Sequence, residues 1–496
     1  MLPNTALAYL PKRQPKPVKG GRKGAPDQYR LKLEHKRYIL TDAQNNTKVH
    51  DEFWQTLVRM AKKLDARIIV GRSTYNKNGW QRLTKDSDTV DGKENLWWDE
   101  RILAYATDEQ VKLAKDLVFC GELDILPTMQ FPLTGLDNYT GTNSAIIPHV
   151  KMQMRSLATM KHEDAKLMYT TGTVTLRNYI QRRAGQIAEY NHVYGALFVE
   201  VDDAGDWFVR QLNSDDSGIV YDLNTTWGPT WDRPAIEFGR PLLNLGDIHI
   251  EKSDDLAMHG ALQMMQELNP EAVFLHDLID FKSRNHHNIG DPHFLLSQAG
   301  TTVQEEMKMA GMWLATMQRA FPDTMFYVIK SNHDEALAKW VKSPPKFPDA
   351  ANMRYWHECN VAMLKHIEQK LPFDVFAWAL NRETIDTPTP LRLKQVRFVR
   401  ADESVLINGI EYGMHGHYGP DGARGNPKAF RQIGRRANTG HTHSAGIVDG
   451  VWTAGVLGSL DMGYNVGPSS WSHSHIVTYP NGKRTIITQR KSKWRA

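Results

Sequence analysis

The chain has 496 residues, 41% of them apolar and 24% charged, with a formal net charge of +5. That length is too much for one ordinary hydrophobic core, so two domains, or one large domain with an added layer, are expected, and the composition excludes wholesale disorder. No window approaches the roughly twenty uninterrupted apolar residues of a membrane-spanning helix.

The N-terminus, punctuated by Pro3, Pro11, Pro15 and Pro17, lacks the apolar run of a signal peptide. Cys120 and Cys359 lie far apart and fit neither a disulfide framework nor a CxxC metal site, which indicates buried thiols in a reducing compartment. A cytoplasmic protein without a membrane partner is the expectation. Residues 1–37 hold ten Lys and Arg against two Asp and Glu. Residues 1–36 therefore read as a flexible basic arm, either a phosphate-seeking tail or a solvated terminus.

From residue 37 to 225 the pattern is that of an α/β domain. Arg37–Thr41 reads as a strand, Val49–Leu64 has apolar residues at helical spacing, and Arg67–Val70 reads as a second strand. Further strands are predicted at Leu117–Cys120, Ala196–Val201 and Trp207–Val209, with a helix over Leu176–Tyr190. The chemistry of this half is not legible; substrate selection or self-association into a homo-oligomer is its expected role. Gly228, Pro229, Pro234 and Gly239 mark residues 226–240 as a linker, leaving 241–496 as a second domain.

In that second domain, apolar runs at Pro241–Leu245, Ala272–Leu275 and Phe326–Ile329 alternate with helical stretches at Leu256–Leu268 and Val303–Phe321. Each run ends in a polar cluster, where open α/β sheets bind ligands. Asn481-Gly482, between Ile476–Tyr479 and Thr485–Thr488, signals a hairpin. Trp340, Trp356 and Trp378 read as a local helical core, and no internal repeat is visible.

The polar clusters are Gly246-Asp-Ile-His249, His276-Asp-Leu-Ile-Asp280, Ser331-Asn-His-Asp-Glu335, Met414-His-Gly-His417 and Gly440-His-Thr-His443. In Asp-x-His and His-x-His the two side chains are i and i+2, which project to one side of an extended chain end. Any one cluster alone reads as an ordinary surface loop; five in order do not. The donors are carboxylate, imidazole and one amide without thiolate, a set suited to Mn²⁺, Fe or Zn²⁺.

In these clusters the sequence resembles the calcineurin-like metallophosphoesterases over roughly residues 241–478. The resemblance implies a C-terminal β-sandwich flanked by helices, with the N-terminal α/β domain as an addition. It implies two divalent metal ions, most simply Mn²⁺. One would be held by Asp247, His249, Asp277 and His443, and the other by Asp277, Asn332, His415 and His441. A hydroxide bridging the two metals would attack phosphorus in line. Asp277 and His333 are the catalytic residues by this reading. His333 would protonate the leaving oxygen, its ring oriented by Asp334 or another carboxylate. His276 and Ser331 stand where the family has glycine. Either His415 or His417 satisfies the fourth cluster; His415 is the ligand assigned, with His417 as a substrate contact.

Basic residues follow the second cluster (Lys282, Arg284, His286, His287) and precede the fifth (Arg424, Lys428, Arg431, Arg435, Arg436). Arg284, His286, His287, Lys428, Arg431 and Arg435 are expected to grip consecutive phosphates, with the last group on one helical face. Together with Tyr38–Asn46, Thr170–Tyr179 and Ser469–His473, the chain looks like the metallophosphoesterases of tailed bacteriophages. These are similar to the pre-early DNases and, more distantly, to the SbcD-type repair exonucleases. That implies a DNase with DNA as partner in the bacterial cytoplasm. The alternatives are a phosphatase or nucleotide phosphodiesterase, and an inert DNA-binding or virion protein.

Overall fold

The structure, a computed structural model, describes residues 31–32, 35–75, 97–285, 291–298, 300–343, 349–386 and 390–496. Residues 1–30 of the expected basic arm, and the expected substrate contacts His286 and His287, lie outside the described residues. The chain is a mixed α/β protein, and no described helix is long and apolar enough to cross a membrane.

Parallel strands Leu242–Asn244, Ala272–Leu275, Met325–Ile329 and Val396–Val399 form one sheet, which the antiparallel hairpin Ser474–Thr478 and Arg484–Thr488 extends beside the first of them. Alternation along these strands decides what each face meets. Leu243, Val273, Phe326 and Val328 pack against the helices Asp255–Leu268, Val303–Ala320 and Val375–Ile385. Leu242, Ala272, Phe274 and Ile329 face a second sheet through Ile410 and Tyr412, with the Phe274 and Tyr412 rings stacked at 4.3 Å. Trp340 and Trp378 pack on the helical core, and Trp356 donates through its indole nitrogen to the Trp340 carbonyl, as the sequence suggested.

The helices start where capping side chains satisfy their first amides. Asp254 accepts from Ala257 N at 2.9 Å, and Thr302 and Glu305 form a reciprocal capping box.

Contrary to the sequence reading, the chain repeats itself. Arg37–Gln44 pairs in parallel with Arg67–Ser73 across the helix Asp51–Leu64, and antiparallel with Gly195–Val201, itself antiparallel to Trp207–Asn213. Leu242–Asn244 likewise pairs in parallel with Ala272–Leu275 and antiparallel with Ser474–Thr478, itself antiparallel to Arg484–Thr488.

A second set also recurs. Gln110–Ala114, Leu117–Cys120, Ser144–Ile147, Lys166–Thr170 and Met154–Leu157 lie side by side in that order. So do Leu406–Ile407, Ile410–Glu411, Arg436–Thr439, Val451–Thr453 and Gly446–Val448, with the same succession of directions. Met154–Leu157 and Gly446–Val448 pair antiparallel with each other, fusing both sets of five, with Leu31–Lys32 added beside Gln110–Ala114, into one eleven-stranded sheet among the described residues.

The halves also meet where Gln211 binds Thr485 and Ile486, and they share a core containing Leu197, Val209, Trp452, Ile476 and Ile486. Residues 224–240 are not bare linker: Thr225–Trp227 and Asp232–Pro234 belong to a small three-stranded sheet, and Ala235–Phe238 is a 3-10 turn.

Candidate metal centre

The C-terminal ends of parallel strands from both sheets converge. Leu242–Asn244 leads to Asp247 and His249, Ala272–Leu275 to Asp277, Met325–Ile329 to Asn332 and His333, Ile410–Glu411 to His415, and Arg436–Thr439 to His441 and His443. Donor atoms of Asp247, His249, Asp277 and His443 lie within 4.8 Å of one another, as do those of Asp277, His415 and His441. Asp277 Oδ2 stands 3.7 Å from His249 Nε2 and 3.4 Å from His415 Nε2. The Asn332 amide oxygen is 3.0 Å from both His415 Nε2 and His441 Nδ1. All seven side chains assigned as metal ligands therefore meet in one place, and they form a cluster that could hold a metal ion.

The turns that bring them together are tight. His249, Asp277, His441 and His443 adopt left-handed backbone with φ of 45°, 41°, 75° and 56°, a conformation that non-glycine residues seldom take without a surrounding structure that fixes it. His276 and Ser331, which stand where the resembled metallophosphoesterases have glycine, are not among the left-handed positions, so the backbone there accepts a side chain. At Gly440 a Cβ would sit 2.2 Å from Asp247 Oδ1, so only glycine lets this loop close on the carboxylate. His441 N donates to Asp247 Oδ2 at 2.8 Å.

Burial alone would raise the Asp277 carboxyl, but His415, His333 and His249 around it hold it well below the usual range. Burial would lower the His415 imidazole, yet Asp277 and Asp247 push it up to about 9. The site thus assembles acids and imidazoles that a water-filled cavity would not hold together. His249 Nε2 and His443 Nε2 face each other at 3.1 Å. Asp247 Oδ1 is buried with no hydrogen-bond partner, as are the outer ring nitrogens of His415 and His443. Asp247 Oδ2 stands 3.2 Å from His443 Nε2, so a carboxylate oxygen and imidazole nitrogens converge in the arrangement a cation satisfies.

His333 caps the helix Asp334–Lys342 and donates its backbone N–H to Asp277 Oδ1 at 3.3 Å. Its ring meets His249 edge-on at 4.7 Å, and its Nδ1 lies 3.0 Å from the Asp280 carbonyl oxygen and 3.7 Å from the Asp280 carboxylate. Asp280, not Asp334, therefore orients this ring. Asp334 is turned inward, with Ile279 N donating to it at 3.4 Å. Asp280 also faces His249 Nδ1 at 3.3 Å and Lys252 Nζ at 2.9 Å. The role of Lys252 carried no signal in the sequence.

Of the two histidines in the fourth cluster, His415 joins the donors, while His417 lies 3.7 Å from Glu335. The expected phosphate contacts are placed differently. Arg284 is held by Asp349 at 2.6 and 2.8 Å with its side chain 11% exposed, so it is spent inside the protein. Residues Ala429–Ile433 form a 3-10 turn ended by Gly434 at φ 64°, so Arg435 leaves the face that Lys428 and Arg431 share. Those two cations lie 5.5 and 5.2 Å from the Phe131 ring centre, a contact the sequence did not announce.

The chain is 40% identical over 487 residues to Protein A1 of Escherichia phage T5, covering 94% of this chain and 84% of that protein. The chain belongs to the Protein A1 family. No family model matches it, nor does any solved structure.

In this member of the Protein A1 family, the first repeat carries other residues at most of the donor positions. Asp42 bridges Thr173 as Asp247 bridges Val456, and the amides of Asp42 and Asp247 donate to Gly172 and Gly455 respectively. Counting from these equivalent strand ends, Gln44 stands for His249, His149 for His441 and Lys151 for His443. Among the described residues, no group of three or more metal-ligating side chains forms in that half.

Proposed function

We propose that the cluster is a two-metal centre and the chain a metal-dependent phosphodiesterase, most specifically a phage DNase acting in the bacterial cytoplasm. The observation that carries this reading is the Asp277 carboxylate, common to two sets of donors. The layering of helices, sheet and second sheet is also that expected of the calcineurin-like sandwich. In this reading Asp247, His249, Asp277 and His443 hold one ion, and Asp277, Asn332, His415 and His441 the other, with Mn²⁺ as the assigned metal. Bound there, divalent cations supply the charge that acidifies water and neutralises the phosphate.

The remaining work falls to the protein. With its Nδ1 3.0 Å from the Asp280 carbonyl oxygen, which can only accept, His333 carries a ring proton at Nδ1 and leaves Nε2 as the atom that exchanges a proton with the leaving oxygen. Burial lowers this imidazole, but Asp277 and Asp280 outweigh it and raise its pKa, which favours the protonated ring. The backbone N–H of His333, at a helix N-terminus, steadies the shared carboxylate. DNA as substrate is supported by the exposed Arg424, Lys428 and Arg435, a run suited to a polyanion, whereas Arg431 pairs with Asp449 at 3.0 Å and Arg436 donates to the Asn408 carbonyl at 2.9 Å.

End-labelled linear DNA incubated with Mn²⁺, Fe²⁺, Zn²⁺ or chelator tests the reading. Metal-dependent cleavage that chelation abolishes is expected. Turnover of para-nitrophenyl phosphate without DNA cleavage would move the chain to the phosphatases. DNA binding with neither turnover nor bound metal would leave an inert binding protein.

A further inference from the structure

Beside the donor cluster lies a loop, residues 459–471, that neither the metal cage nor the proton donor uses. It carries two aromatic rings to the mouth of the site. The Tyr464 ring lies 6.4 Å from the His333 ring at an interplanar angle of 30°, and remains 44% exposed. Trp471 packs edge-on against His443 at 4.2 Å and meets Tyr464 at 5.9 Å. The half-exposed Tyr464 ring, nearly parallel to the imidazole proposed to face the reacting group, is partly open to solvent beside the donor cluster.

The loop is held ready rather than left to fold on contact. The Tyr464 hydroxyl donates to Met462 Sδ at 2.9 Å, Met462 N donates to Asn465 Oδ1 at 3.1 Å, and Asn465 Nδ2 donates to the Leu460 carbonyl at 2.9 Å. Lys252 sits 4.8 Å from the Tyr464 ring centre and donates to the Met462 carbonyl at 3.1 Å.

The outer anchors come from the first repeat. Thr159 and Ser469 exchange both backbone hydrogen bonds, at 3.0 and 2.8 Å, and Lys161 pairs with Asp461 at 2.6 Å. Both anchors stand on the connection between strands Met154–Leu157 and Lys166–Thr170, whose first strand joins the two repeats. The half without metal donors thus braces the aromatic wall of the half that has them.

Resting on the phosphodiesterase reading above, we infer that Tyr464, backed by Trp471, is the surface on which the nucleobase next to the scissile phosphate stacks. The site then prefers a strand whose base is free to leave the duplex, at an end or in single-stranded DNA, because a paired base cannot present its face to the ring. A stacked base contributes affinity without reading its identity, so cleavage should be tolerant of sequence.

The test is a cycle between protein and substrate in Mn²⁺, using single-stranded oligonucleotides with either a normal base or an abasic residue beside the scissile phosphate. In the wild type, base removal lowers kcat/KM by roughly tenfold or more, the usual worth of one stacked base. Tyr464→Ala lowers kcat/KM for the intact oligonucleotide by a similar factor and becomes indifferent to the abasic change. Tyr464→Phe, which keeps the ring but loses the hydroxyl's bond to Met462 Sδ, retains the abasic penalty. An abasic penalty undiminished in Tyr464→Ala overturns this inference alone. A wild type that cleaves no oligonucleotide overturns the parent reading and this inference with it.

Discussion

His333 falls in a potential donor group with His249 and Asp280, but in the proposed reading its contacts to Asp277 through N–H and to the Asp280 carbonyl through Nδ1 keep it beside the two ions as the proton donor. His333→Ala should lower kcat by roughly 10²–10⁴ with metal content unchanged, since only a proton donor is lost. Asp277→Ala should lose metal as well as turnover, which elemental analysis of the purified variants checks. Asp42, the buried counterpart of Asp247 in the first repeat, offers a test free of metal. Burial pushes its carboxyl from an ordinary 3.8 up to about 8, with Ser73 donating one hydrogen bond at 3.0 Å. Because the folded pKa lies above the unfolded one, Asp42 contributes most stability below pH 4, and that contribution declines as pH rises to about 8. Asp42→Asn should remove this slope from urea-melt stability between pH 5 and pH 8, an effect on the order of a few kcal/mol, without changing metal content. An unchanged slope would place the titration elsewhere.

Elements decide whether such residues can meet, and Gly440 shows the margin. A methyl group there would strike Asp247 Oδ1 and the His276 ring, so Gly440→Ala should lose metal and activity while the melting temperature falls by only a few degrees. Metal retained at the wild-type level would show that the loop can yield. The donors were legible because Asp-x-His and Gly-His-x-His are local patterns at the ends of apolar strands, and apolar runs such as Ala272–Leu275 have one reading when followed by a helix and another run. Contacts made across the fold were not legible. Nothing near Arg284 in sequence announces its partner Asp349, and Tyr464 and Trp471 stand on a loop without period. The helix expected over Leu176–Tyr190 shrinks to Arg183–Tyr190, since Thr173 and Thr175 commit the preceding stretch to hydrogen bonds with the Asp42 strand.

At the scale of the molecule, the repeat escaped the sequence because a fold constrains pattern more than identity. Both halves keep a fourteen-residue helix between their first two strands and a closing hairpin. Among the described residues, only the second half inserts long helices of this kind, Val303–Ala320, Asp334–Lys342, Ala350–Glu368 and Val375–Ile385, which hide the correspondence. The shared core makes the halves interdependent. A chain of residues 226–496 would expose Trp452, Ile476 and Ile486, now at most 5% accessible, and should aggregate or melt without a cooperative transition. A soluble, cooperatively melting fragment would contradict that.

The central claim is a pair of cations around Asp277, and electron paramagnetic resonance of the Mn²⁺-loaded full-length protein reads it most directly. The account predicts about two ions per chain with the spectrum of an exchange-coupled pair, replaced by isolated-ion signals or none in Asp277→Ala. A wild-type spectrum of isolated Mn²⁺ alone, or one unchanged by Asp277→Ala, would contradict it.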